Sequence, residues 1–95
     1  MIKNLSLTDT GIKHIGKVLG LYINRVGTTE IVSRLHNRYS KIIGQAYTTG
    51  NPLKPKHHTY NIETNKEYET LKNILEWHIR LSNSKHTKEI YDVID

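Results

Sequence analysis

Ninety-five residues with fourteen Lys/Arg, nine Asp/Glu, six His and a formal charge of +5 read as one small basic domain, because a chain of this length builds a single core. Cysteine is absent, which excludes disulfides and thiolate metal sites and fits a reducing compartment. No apolar run approaches a membrane span and the N-terminal residues lack a leader-like stretch, so a cytoplasmic protein without membrane attachment is expected.

Thr8 or Thr10 is placed to cap a first helix over residues 10–25, with Asp9 near its positive end. Ile12, Ile15, Leu19, Tyr22, Ile23 and Val26 fall on one stripe at helical spacing, with Lys13, Lys17 and Asn24 opposite. Gly16 and Gly20 stand at the edge of that stripe. A helical glycine costs roughly 1 kcal/mol against alanine, so the pair points to close approach by a neighbouring helix. Gly27 stops the helix, and Thr28 or Thr29 starts a second over residues 29–44. Its stripe is Ile31, Val32, Leu35, Tyr39, Ile42, Ile43 and Ala46, although Lys41 to Thr48 reads equally as a strand.

Residues 48–60 have no helical period. Gly50-Asn51-Pro52 marks a turn and Pro55 keeps the chain extended, so a plain basic loop and a short hairpin between Tyr47 and Tyr60 both fit. Thr64-Asn65-Lys66-Glu67 is a capping-box pattern that opens a third helix at Asn65, running to residue 81. Tyr68, Leu71, Ile74, Leu75, His78 and Ile79 form its buried stripe, with His78 read as a hydrogen-bonded core histidine. Ser84 or Thr87 then caps a short fourth helix near 87–94, docked by Ile90, Val93 and Ile94. The expected fold is mainly α, a small three- to four-helix bundle in a single domain. It comprises a basic helical part (8–47), a basic loop or hairpin (48–63) and C-terminal helices (64–95). A winged-helix variant with residues 47–62 as the wing stays open.

Charge is uneven: residues 1–60 carry nine Lys/Arg against two acids, residues 61–95 five against seven. A basic segment attracts polyanions by Coulomb steering and counterion release. Arg34, Arg38 and Lys41 recur one helical turn apart, an arrangement of like charges that favours an anion beside it. Lys54, Lys56, His57 and His58, flanked by Tyr47 and Tyr60, have the basic-plus-aromatic composition of a nucleic-acid contact. Nucleic acid, with RNA or single strands favoured, is therefore the leading expected partner, the protein acting as a non-enzymatic accessory. The alternative is a protein-binding inhibitor or adaptor of a larger enzyme. It would use Trp77 and Leu81, which widen the apolar flank of the third helix beyond what one bundle covers and also favour self-association.

The sequence offers little for catalysis. Gly-rich phosphate loops, cysteine nucleophiles and paired acids in an interpretable setting are missing. Gly20-Leu21-Tyr22 with Ile42-Ile43-Gly44, and His57-His58 with Asn73 and His78, are faint nuclease-like patterns. The first pattern lies in an apparent helix where a strand is needed, and Asn73 and His78 share one helix. No two histidines are spaced to share a helical face, so no metal and no cofactor are expected. The richness in Ile, Lys, Asn and Thr is phage-like, of the kind AT-rich genomes encode.

Overall fold

The computed structural model describes residues 3–48 and 57–94, with the side chains of residues 45–48 excepted. A strand β1 (Lys3–Thr8) leads into helices α1 (Asp9–Arg25) and α2 (Glu30–Thr48). A second strand β2 (His57–Ile62) then precedes α3 (Asn65–Ser82) and α4 (Lys85–Ile94). The mainly helical reading holds, and each helix starts on a residue able to cap it. Thr8 accepts a hydrogen bond from the Gly11 N–H at 3.2 Å, and Thr29 from that of Val32 at 3.3 Å. Thr64 accepts from Glu67 at 3.1 Å and Ser84 from Thr87 at 3.2 Å, each satisfying an otherwise orphan donor of the first turn. Gly27, at φ 128°, ends α1 in a backbone region that side-chain-bearing residues rarely enter.

Two departures from expectation concern residues 1–62. β2 does pair, but its partner is β1: the strands run antiparallel in register from Lys3↔Ile62 to Thr8↔His57. α2 continues to Thr48, so residues 41–48 are helix and supply no strand for a hairpin or wing. The helical stripe that begins at Ile31 prevails over the extended propensity around Gly44, because an unbroken ladder satisfies its own backbone. His36 and Asn37 lie inside this one helix, which runs through them without a turn.

Leu5 and Leu7 of β1 and Tyr60 and Ile62 of β2 point one way, into a core completed by Ile12, Ile15, Val18 and Leu19 of α1 and Val32 and Leu35 of α2. Leu71, Ile74 and Leu75 of α3 and Ile90 and Ile94 of α4 close it. Val93 is the exception to the docking stripe, at 55% exposure. Gly16 is explained by its surroundings: a Cβ there would lie 2.1 Å from the Tyr39 ring of α2, so the ring sits flat against the α1 backbone. Gly20 meets nothing within 4 Å and has no such role. No helix among the described residues is long and apolar enough to cross a membrane.

Candidate functional site

The structure takes apart the basic ridge on α2. Arg38 turns inward, its side chain only 18% exposed, and donates from Nη1 to Glu67 Oε1 at 2.7 Å and to the Asn61 carbonyl at 2.9 Å. Nη2 lies 3.4 Å from Glu67 Oε2 and 3.7 Å from a carboxylate oxygen of Glu63. Glu67 is buried on α3, and besides Arg38 it accepts from the Glu63 N–H at 3.2 Å. The hydrogen bond to Arg38 holds its carboxyl below the usual carboxylate range despite burial, and the same bond raises Arg38. Both charges are thus spent inside the fold, where they join α2, β2 and α3. Arg34, one turn earlier, is exposed and sits 3.8 Å from Glu30. Lys41 is exposed. The three cations therefore do not present one surface.

Tyr60 is also withdrawn. Its ring is fully buried and its hydroxyl donates to the Leu35 carbonyl at 2.7 Å, which leaves no face for stacking on a base. His58, on the same strand, pairs through Nε2 with Asp9 at the start of α1, whereas His57 is exposed. Tyr47 falls in the last turn of α2, its side chain outside the described residues; Lys54 and Lys56 lie outside them altogether. Among the described residues, no group of three or more His, Asp or Glu is arranged to hold a metal ion.

What the structure does assemble is a groove of about 850 Å3 between the N-terminal half of α2 and the outer side of α3. Its apolar lining comes from Tyr22 and Val26 at the end of α1, Ile31 and Val32 of α2, and Ile74 and Trp77 of α3. Glu30, Arg34, Lys66, Thr70 and Asn73 supply the polar lining. Trp77 is half-buried, and Tyr22 meets it edge-on with ring centroids 5.3 Å apart, a favourable aromatic arrangement. Val26 is 57% exposed beside it, and Leu81, one turn further along α3 and outside the lining, is 50% exposed.

The chain matches no family model, no curated protein and no solved structure. The groove must therefore be read from its own chemistry. Of its residues, Trp77 stands out in the sequence as an apolar residue flanking a filled stripe. Tyr22, Val26 and Ile31 do not, because they belong to stripes that are buried elsewhere along their length. The groove where α1 ends beside α2 and α3 leaves them uncovered.

Proposed function

We propose that this chain is a non-enzymatic protein-binding module, an inhibitor or adaptor, whose partner inserts apolar side chains into the α2–α3 groove. The observation that carries this reading is Trp77, packed edge-on against Tyr22 in a partly apolar groove with Val26 exposed beside it. Tryptophan, tyrosine and arginine dominate the energetics of protein interfaces when they sit in such pockets and are ringed by polar groups. Arg34, Lys66 and Asn73 form part of that ring here.

A second reading, single-stranded nucleic acid in the same groove, draws on Arg34 and Lys66 beside Trp77 and Tyr22, since cations next to aromatic rings suit phosphates and bases. Glu30 weighs against it: its carboxylate stands in the groove 3.8 Å from Arg34 and offsets the charge a phosphate would seek. Affinity capture from an extract of the source cells, with and without nuclease, separates the two. The protein reading expects a partner that survives nuclease and is lost from Trp77→Ala, with the helical circular dichroism of the variant unchanged. Capture abolished by nuclease favours the nucleic-acid reading. A Trp77→Ala chain that is folded and still captures the same partner removes the groove from both.

A further inference from the structure

Away from the groove, α1, α3 and α4 meet around one hydroxyl. Thr87, fully buried near the start of α4, lies 2.7 Å from Nε2 of His14 on α1 and 2.7 Å from Nδ1 of His78 on α3. A threonine hydroxyl has one proton and two lone pairs, so it can donate to one ring and accept from the other, or accept from both. Two neutral imidazoles fit it without cost, whereas two imidazolium rings would set like charges with centroids 5.9 Å apart around one buried hydroxyl. His86, in the same turn of α4, places its ring 4.2 Å from that of His14, and the His14 and His78 rings lie 5.9 Å apart.

The groups that act on His14 are thus His78 from α3, His86 from α4 and, on its own helix, Lys17. All of them are cationic when protonated. The Ser82 hydroxyl next to His78 donates to the His78 carbonyl at 2.9 Å. α4 itself is ten residues long, too short to persist undocked, and its burial rests on Thr87, Ile90 and Ile94.

We propose that α4 is held by a proton-operated latch: acidification charges His14 and His78 on either side of Thr87 and frees α4 from α1 and α3, while the sheet and α2 stay folded. The direction follows from linkage. Burial, then His86, His78 and Lys17, push His14 down to about 4, and burial followed by Lys17 also lowers His78. The folded chain therefore takes up these protons later than the unfolded chain does. The stability they contribute is complete above the ordinary histidine value of 6.5 and is lost as pH falls from there towards 4. This loss begins below 6.5, whereas Glu67 is held below its ordinary value of 4.5, so the latch begins to weaken at milder acidity than the Arg38 ion pair does.

Amide hydrogen exchange on the full chain at pH 7.5 and pH 5.0, corrected for intrinsic rates, tests this. Protection of the α4 amides from Lys88 to Ile94 is expected to fall by about ten-fold relative to those of β1, β2 and α2. Full linkage of His14 alone would give roughly thirty-fold, and its partial exposure reduces that. His14→Gln keeps a donor for Thr87 and carries no titratable ring, so its relative fall should be clearly smaller than the parent's, leaving only the share that His78 contributes. His86→Gln, on the surface side of the cluster, should shrink it in part. Protection lost equally in all elements, or lost as steeply in His14→Gln as in the parent, overturns the proposal. If His14→Gln does not fold, the intermediate response of His86→Gln decides alone, and an unchanged response overturns the proposal.

Discussion

Two buried polar networks hold this bundle, and they are built on opposite principles. At the junction of α2, β2 and α3, Arg38 and Glu67 bring unlike charges together, with three hydrogen bonds from the guanidinium and three to the carboxylate among the described residues. At the junction of α1, α3 and α4, three histidines and a lysine gather, and the fold tolerates them by keeping His14 and His78 neutral around Thr87. The first network gains from ionisation: Glu67 is held below the usual carboxylate range, so its contribution is present above that range and is lost as pH falls through its folded value. The second is damaged by ionisation and weakens at milder acidity. The same small core thus contains one lock that neutral pH keeps shut and strong acid opens, and another that weak acid already loosens.

Substitutions sharpen the contrast, beginning with the largest effect. Glu67→Ala leaves Arg38 and the Glu63 N–H without their acceptor in the interior and should lower the unfolding free energy by about 3–4 kcal/mol. Replacing both partners with apolar residues, Arg38→Met with Glu67→Leu, should recover most of that loss in a denaturant titration. A double variant as unstable as Glu67→Ala would show that the network matters for more than charge compensation. Thr87→Val keeps the shape of the side chain but removes the hydroxyl shared by His14 and His78. Its expected cost is about 1–3 kcal/mol at pH 7.5, read by thermal melting. The smallest effect belongs to the remnants of the ridge. Arg34→Gln with Lys41→Gln should change stability by no more than about 0.5 kcal/mol, because both side chains are exposed. Arg38→Gln, one turn from either, should behave like a core lesion.

That last contrast explains how far the sequence could be read. Helical stripes located α1, α2 and α3, and the Thr64–Glu67 capping signal placed the start of α3 at Asn65, because those patterns are local. The same Glu67 gave no sign of its bond to Arg38, twenty-nine residues away, so Arg38 read as one more surface cation at i+4 from Arg34. The spacing of side chains along a helix says which of them share a face. Whether a flanking arginine turns inward depends on what another helix brings to it. The sheet was missed for a related reason. Leu5 and Leu7 alternate, as do Tyr60 and Ile62, but each segment is six residues long and its partner lies on the far side of two helices. The groove was legible only through Trp77, since its other apolar residues are ordinary stripe members, most of them lining it at the ends of their helices. Of the histidine cluster only His78 was legible, as the hydrogen-bonded core histidine on the α3 stripe; its neighbours were not, with His14 and Thr87 seventy-three residues apart.

The pairing of β1 with β2 also sets an order of assembly. Its ladder joins Thr8 to His57 and Lys3 to Ile62, so every rung closes a loop of roughly fifty to sixty residues around α1 and α2. The helical hairpin of α1 and α2, and that of α3 and α4, form from neighbours in sequence and face no such entropic barrier. The two strands therefore act as a clasp fastened last, after the helices have brought their ends together. Truncating Leu5 or Leu7, whose contacts would be absent from the rate-limiting ensemble, should leave refolding nearly as fast as before and appear almost wholly as faster unfolding.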